Sequence, residues 1–322
     1  MKWIGLYLSY VLIFLGVLVV VFPTFYLSEL VISFLPYMVV MHMFLVGYWL
    51  SRIVIGRRSW KWVLLIGLHC IGFFYFIFPL SNFYGNADLV GSASDTGMTV
   101  LYANISKQNR NYTGLIQMIE QKDPDVVMFV EFADHHDEHI KWFLSQNYPY
   151  INRTSRSKKF VWSMVFSKYP VDDLADDFVQ GAWRYGYFRI DGPIIPYYVY
   201  LVHTSSPISP VNYRMRNEQL KNVADSIVDH EGSREQDVPV LLLGDFNVSP
   251  WSIFYQLFVT DLAYFSNVTA RFPIVFSWRL NRFPLFWSHI DHVFLTDVDS
   301  VGYIEQVDVP GSDHMWYYFI AE

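Results

Sequence analysis

The stretch LLLGDFNVSP, residues 241–250, is an apolar run that stops at a glycine and an aspartate. Such a run indicates a buried strand with its polar residues at the C-terminal tip. Asp245 and Asn247 are two residues apart, so both project from the same face of that tip. A carboxylate beside a carboxamide suits a phosphate ester held on a divalent cation, because the carboxylate handles a proton or the metal and the carboxamide donates hydrogen bonds to oxygen.

Five further predicted strands carry metal-capable or proton-capable groups at an end. They are Asn104 closing TVLYAN, Glu131 closing DVVMFVE, His203 closing YYVYLVH, Asp291 and His292 opening IDHVFLT, and Asp313 and His314 before MWYYFIAE. One polar residue at a strand end is ordinary turn chemistry. Six such ends predict a shared site.

Strand-like runs alternate with helix-like stretches from Met98 onward. The predicted helices cover residues 112–121, 140–145 and 213–229. This alternation predicts a mixed α/β domain over residues 98–322, which is long enough for one large core.

The same region resembles the endonuclease/exonuclease/phosphatase superfamily, which includes deoxyribonuclease I, abasic-site endonucleases, inositol-phosphate phosphatases and neutral sphingomyelinases. The signatures are the glutamate of PDVVMFVE, the GDFN tip, IDHVF and a terminal SDH, in the family's order. Apolar helices ahead of GDFNVSPWS are most similar to the membrane-anchored bacterial branch. The resemblance implies a four-layer α/β sandwich of two mainly antiparallel sheets flanked by helices, preceded by three transmembrane helices.

The resemblance also implies roles for the residues at the strand ends. Glu131 would bind the metal, with Asn104 and Asp313 close by. As hard oxygen ligands, the two carboxylates favour Mg²⁺ or Mn²⁺ over zinc. Asp291 would pair with His314, fixing the tautomer of the imidazole and raising its basicity.

Three further residues would act on the phosphate or on protons. Asp245 would position or deprotonate the attacking water, or serve the leaving group, and both roles stay open. Asn247 would donate to a non-bridging phosphate oxygen. His203 would contact the phosphate or assist proton transfer. The expected reaction is in-line attack of water on a phosphodiester or phosphomonoester.

The first 80 residues predict a membrane anchor. Apolar runs at about 3–22, 30–50 and 62–80 each approach the ~20 residues that a spanning helix needs. Trp3, Trp49, Trp60 and Trp62 fall near predicted helix ends, where aromatic rings favour the membrane interface. The loop 51–61 holds four cations, which predicts a cytoplasmic N-terminus and an extracytoplasmic domain after an 81–97 linker.

Three features are interpreted as structural or left open. His42 and His69, inside the spans, are expected to hydrogen-bond between helices. The run DHHDEH, residues 134–139, places His135 and His139 one turn apart as in zinc sites, but a solvated helix start is preferred. The aromatic and arginine-rich loop 271–287 is a packed loop or a substrate-facing one, with Arg279 and Arg282 for phosphate.

The sequence therefore predicts a membrane-anchored, metal-dependent phosphoesterase. Its substrate would be a nucleic acid, a lipid head group or a small phosphate ester, and no protein partner is predicted. The chain's net charge is −7, although residues 1–80 carry five cations against one acid. A strongly acidic domain disfavours generic nucleic-acid binding. The alternative is a catalytically silent, membrane-tethered binding or scaffold domain of the same fold.

Overall fold

The computed structural model describes residues 2–56, 59–85, 97–153, 162–174, 184–235, 237–270, 276–280, 286–296 and 301–321 of the 322-residue chain. It contains two compact units. The first is Met1–Asn86 with Ser249–Gln256, and the second is Ala87–Val248 with Leu257–Glu322.

The first unit is helical. Its helices are α1 Lys2–Val21, α2 Tyr26–Ile32, α3 Leu35–Val54 and α4 Trp60–Gly85. By length and composition, α1, α3 and α4 suffice to cross a membrane, as the apolar runs predict. Because α4 continues to Gly85, residues 81–85 of the predicted linker are helical, and residues 86–96 lie outside the described residues.

Contacts between the long helices hold this unit together. His42 Nδ1 lies 3.0 Å from His69 Nδ1, which is the expected hydrogen bond between helices. Trp49 is fully buried, stacks on Trp62 at 4.5 Å and donates its indole N–H to Ser9. The rings of these two tryptophans therefore fill the space between the helices.

The second unit contains two six-stranded sheets. Their strands are β1 Met98–Asn104, β2 Val126–Phe132, β3 Tyr150–Arg153, β4 Trp162–Ser167, β5 Val171–Asp173, β6 Tyr185–Asp191, β7 Pro196–His203, β8 Val240–Asp245, β9 Ser266–Asn267, β12 Asp291–Leu295, β13 Val301–Asp308 and β14 Met315–Ala321. A two-stranded ribbon adds β10 Trp278–Arg279 and β11 Trp287–Ser288. The helices are α5 Tyr112–Lys122, α6 Asp134–Asn147, α7 Pro210–Glu231 and α8 Ile253–Asp261.

Each sheet is antiparallel apart from one central parallel pair. The first sheet has the order β13-β14-β1-β2-β4-β3 and the second β5-β6-β7-β8-β12-β9. The parallel pairs are β1 with β2 and β7 with β8. Parallel strands buried on both faces read as continuous apolar runs, which explains VVMFV in β2 and VLLL in β8.

The core lies between the two sheets, and helices cover their outer faces. Val100 and Val130 of the first sheet share a buried cluster with Val199 and Leu243 of the second. Helices α5 and α6 pack against the outer face of the first sheet. Helix α7 lies on the second, where His230 stacks on Tyr187 at 4.7 Å. The predicted four-layer sandwich is therefore confirmed.

Candidate active site

Three neighbouring strands of the second sheet place His203, Asp245 and Asp291 in one row. Asp245 at the end of β8 is paired with His203 of β7 and with Asp291 of β12. Side chains paired in register on neighbouring strands point to the same face of a sheet. Backbone pairing therefore determines this row.

The first sheet contributes Asn104 from β1 and Glu131 from β2. Asn104 Nδ2 lies 3.0 Å from Asp245 Oδ2 and 3.4 Å from Glu131 Oε1, so one carboxamide donates to a carboxylate of each sheet. His203 Nε2 lies 3.8 Å from Glu131 Oε1. Four of the predicted side chains, from both sheets, thus meet at one place.

Glu131 is held by an irregular piece of backbone. Its φ is 58°, and the β2–β4 register shifts between Phe129 and Phe132. Positive φ is strained for a residue with a side chain and is common where a side chain must be re-aimed at a functional site. The Lys107 N–H donates to Glu131 Oε2 at 2.9 Å, which favours the ionised carboxylate.

His314 is paired with Asp291 as predicted. Its Nδ1 donates to Asp291 Oδ2 at 2.8 Å, and Tyr102 donates its hydroxyl to Asp291 Oδ1 at 2.9 Å. Burial by itself lowers the pKa of His314, but the charge of Asp291 and the hydrogen bond to it outweigh burial and raise this pKa to about 10. The imidazole is therefore cationic at neutral pH, with Nε2 as its second donor.

Asp245 has a proton affinity suited to transfer near neutral pH. It is 2% exposed and accepts the Asn247 N–H at 2.9 Å. His314 Nε2 lies 3.8 Å from its Oδ2. Burial and the charge of Asp291 raise the pKa of Asp245 to about 8, against the opposing effect of His314.

Burial has the opposite effect on His203. It lowers the pKa of His203 to about 4, although Glu131 opposes the shift. His203 is therefore a neutral imidazole at physiological pH. The two histidines beside the carboxylates thus differ in charge, and only His314 is a cation.

Asn247 lies at the site in a left-handed conformation with φ 50°. Its carboxamide nitrogen donates to the Thr204 carbonyl at 3.1 Å. The backbone carbonyl of Asn247 accepts from Arg216 Nη1 at 2.8 Å. A carboxamide carries two N–H groups. One N–H is engaged with Thr204, and the carboxamide carries a second N–H donor.

Asp313 has a different set of contacts from the other predicted metal ligands. Its Oδ2 accepts the Trp278 indole N–H at 2.9 Å, and its carbonyl accepts the Arg279 N–H at 2.8 Å. Glu131 and Asn104 contact each other, whereas the described hydrogen bonds of Asp313 run to the β10 strand. Neighbouring Ser312 donates its hydroxyl to the Asn104 carbonyl, so this loop is tied to β1.

Two residues near the site were not selected from the sequence. Tyr102 is two residues before Asn104 on β1, and this spacing already indicates the same face. Arg184 precedes β6, its carbonyl accepts the His203 N–H, and its charge acts on Glu131 and His203. The β6–β7 pairing that brings Arg184 to the site is not visible in any local pattern.

The DHHDEH run forms a structural cluster. His136 is fully buried, accepts the Ala133 N–H and donates to the Asn109 carbonyl. His135 uses both ring nitrogens, with the Tyr112 hydroxyl and the Lys107 carbonyl. The expected solvated helix start is thus wrong for His136, because its ring closes the gap between α6 and the loop before α5.

The loop 271–287 is described only in part. Residues 271–275 and 281–285, including Arg282, lie outside the described residues. Arg279 Nη2 donates to the Ser312 carbonyl at 3.1 Å, and its guanidinium lies 5.9 Å from the Trp287 ring. The described part of this loop therefore supports the SDH turn, residues 312–314, through contacts with its backbone.

The donor atoms at the site suit a hard cation. Asp245, Asp291 and His314 place one atom each within 4.8 Å of one another, and the two aspartates supply the ligand oxygens, because a protonated His314 has no free lone pair. Glu131 adds carboxylate oxygens, and Asn104 lies between Glu131 and Asp245 with its carboxamide nitrogen towards both and its oxygen accepting the Ser106 N–H. Magnesium uses few carboxylates and keeps several waters. The donor set thus fits a divalent cation of that class.

The family model of the Endonuclease/Exonuclease/phosphatase family matches residues 101–314, about two thirds of the chain. The chain belongs to this family. The match runs from β1 to His314 and includes all eight predicted site residues. No curated protein matches the sequence significantly.

Solved structures support the same fold at low sequence identity. Humanized D. rerio TDP2 with 14 mutations has a TM-score of 0.54 at 14% identity, covering 71% of this chain and 100% of that one. SmcL has a TM-score of 0.53 at 17% identity, covering 71% and 100%. A beta toxin mutant from Staphylococcus aureus, solved with bound magnesium ions, has a TM-score of 0.51 at 17% identity, covering 70% and 100%.

Proposed function

We propose that this protein is a membrane-anchored, divalent-metal-dependent phosphoesterase. The observation that carries the proposal is the contact between the two sheets, where Asn104 joins Asp245 to Glu131 and His314 faces Asp245 at 3.8 Å. Family membership supports hydrolysis of a phosphate ester. The magnesium in the beta toxin structure supports the choice of cation.

The proposed division of labour follows from charge. Glu131, Asn104 and Asp313 would hold Mg²⁺ or Mn²⁺, which supplies positive charge to the phosphoryl oxygens when bound. His314, a cation fixed by Asp291, donates from Nε2 to a phosphoryl oxygen as negative charge develops there. Asn247 donates its second N–H to another oxygen, and Arg184 and neutral His203 face the same anion.

Asp245 is the proton-transfer group of this proposal. Water attacks phosphorus, the P–O bond to the leaving group breaks, and one proton passes from the water while the leaving oxygen gains one. A carboxyl group whose pKa is near neutrality can exchange that proton at low cost. The orientation of the substrate decides which of the two oxygens lies against Asp245.

The membrane location rests on the three apolar helices and on the cationic loop 51–61. We place the N-terminus in the cytoplasm and residues 98–322 on the extracytoplasmic side. The substrate would then be a phosphate ester outside the cytoplasm, as a lipid head group, a nucleic acid or a small molecule. The acidic charge balance and the anchor favour a lipid.

The test is hydrolysis of bis-p-nitrophenyl phosphate by the full-length protein in detergent, with Mg²⁺ and with EDTA. Glu131→Ala and His314→Ala should each lower the rate about 10²–10³-fold, as is typical for the loss of one charge stabiliser. His139→Ala, an exposed histidine on α6, is the control. Turnover that neither EDTA nor these variants reduce would contradict the proposal. No turnover on this compound or on DNA, RNA, sphingomyelin, phosphatidylinositol phosphates and mononucleotides would favour the silent scaffold.

A further inference from the structure

The helical unit contains a cavity of about 560 Å³. Its walls include Val19 of α1, Ile32 of α2, Phe78 and Pro79 of α4, and Ile253. The lining is mostly apolar, and the volume lies within the range of about 300–1,000 Å³ found for small-molecule sites. The cavity is therefore large enough for part of an apolar ligand.

The fourth wall is a segment from far along the chain. We name Ser249–Gln256 the Trp251 segment; it belongs to the helical unit and begins two residues after Asn247. Ser252 donates its hydroxyl to Glu29 Oε2 at 2.8 Å, and Glu29 is 1% exposed. Trp251 packs edge-on against Phe83 at 6.0 Å. This wall is held by buried contacts, so the cavity is a built feature of the unit.

Trp251 contributes apolar surface to this wall. The residue lines the cavity and is 8% exposed, whereas its indole nitrogen is fully buried and has no hydrogen-bond acceptor among the described residues. A buried nitrogen of this kind does not face a ligand in the cavity. The walls therefore suit a ligand that presents hydrocarbon to them.

The surroundings indicate where such a ligand comes from. Helices α1 and α4 are two of the three helices long and apolar enough to span a membrane. Phe78 lines the cavity and is also 64% exposed on the outer surface of α4. A side chain in this position would contact lipid hydrocarbon directly in a bilayer, so hydrocarbon is the material that can reach the cavity.

We propose that this cavity binds one acyl chain of a membrane phospholipid. The inference rests on the membrane anchoring proposed above. It assigns to the Trp251 segment, which follows the GDFN tip, the role of holding a lipid against α1, α2 and α4. The expected ligand class is a phospholipid with hydrocarbon chains.

The experiment uses the full-length protein in vesicles that contain a phospholipid with a photoreactive diazirine in its acyl chain. Cross-links should concentrate on the Trp251 segment and on α4 near Phe78. Ile253→Trp fills the cavity and should lower labelling there about tenfold, the factor expected when roughly two buried CH₂ groups are lost. The matched control Ile4→Trp, at a position 62% exposed on α1, should leave labelling unchanged.

A second arm does not depend on the cavity-filling variant. In the wild-type protein, labelling of the Trp251 segment should saturate as the fraction of photoreactive lipid rises, whereas labelling of exposed side chains such as Phe14 and Phe44 should rise in proportion to that fraction. Labelling spread evenly over the exposed side chains, or labelling of the segment that rises without saturation, would overturn the inference. A protein recovered outside the membrane fraction would instead refute the anchoring.

Discussion

At the scale of single residues, Asp291 determines the charge of the site. It is fully buried and accepts hydrogen bonds from His314 and Tyr102. Its backbone N–H in turn donates to the Ser277 hydroxyl at 2.8 Å. The two side-chain donors fix the orientation of the Asp291 carboxylate, and its charge and hydrogen bond raise the pKa of His314.

We predict that Asp291→Asn lowers the turnover of a phosphodiester about 10²–10⁴-fold, the range for loss of an organised acid–base group. Without the Asp291 charge, burial of His314 prevails and its pKa falls. As the pH rises, the residual activity of the variant should then be lost at a lower pH than the activity of the wild type, because His314 gives up its proton earlier. The pH–rate profile measures both effects, with Asp225→Asn on α7 as the control.

His136 should make the protein sensitive to acid. Burial, followed by the charge of His135, lowers its pKa from 6.5 to about 4. The unfolded chain therefore binds a proton that the folded chain rejects, so stability is complete above pH 6.5 and is lost as the pH falls towards 4. The loss at pH 4 is roughly 3 kcal/mol. Thermal unfolding from pH 7.5 to 4 should show a shallower decline for His136→Gln, and an identical slope would contradict this role.

At the scale of elements, the parallel pair of β7 and β8 creates the row that contains His203 and Asp245. Gly244 has φ +150°, and a Cβ at this position would lie 1.9 Å from the Val202 carbonyl oxygen. A side chain here would force the two strands apart. Glycine is therefore required one residue before the aspartate, which explains the GD dipeptide of the GDFN tip.

We predict that Gly244→Ala destabilises the protein by roughly 3 kcal/mol or more, from overpacking together with backbone strain. Gly232→Ala at the end of α7 is the matched control, because nothing lies within 4 Å of its added Cβ and its φ is −70°. The control should be neutral or slightly stabilising. Equal unfolding midpoints in denaturant for both variants would show that β7 can move away from β8.

At the scale of the whole molecule, the chain combines a helical unit, with three helices long and apolar enough to cross a membrane, with a two-sheet unit of the Endonuclease/Exonuclease/phosphatase family. Three connections of the chain link the units, at residues 86–87, 248–249 and 256–257. The second connection begins next to Asn247 in the chain. The helical unit and the GDFN tip are thus joined through a short covalent path.

We predict that the full-length protein stays in the membrane pellet after an alkaline carbonate wash. Protease added outside spheroplasts should digest residues 98–322, while a label in the cationic loop 51–61 should react only after lysis, because cations are retained on the cytoplasmic side. Reaction of that loop in intact spheroplasts would reverse the proposed orientation.

Local patterns in the sequence were sufficient for most elements of the fold. Apolar runs and their polar ends predict β1, β2, β7, β8, β12 and β14, because burial and backbone pairing repeat with the period of a strand. The predicted ranges for α6 and α4, residues 140–145 and 62–80, were shorter than the helices in the structure. Hydrophobic periodicity fades where a helix is capped by buried polar residues such as His136, or continues past an apolar run to Gly85.

The sequence by itself determined the family, the α/β class, the apolar helices and the set of side chains at the strand ends. Only the tertiary structure decided that Tyr102 holds Asp291 across 189 residues of chain, that Arg184 reaches His203, and that the Trp251 segment closes a cavity among the helices. The spacing of apolar residues along a helix or strand indicates which face of that element is buried. Contacts between distant elements depend on sheet order and side-chain packing, which no local pattern encodes.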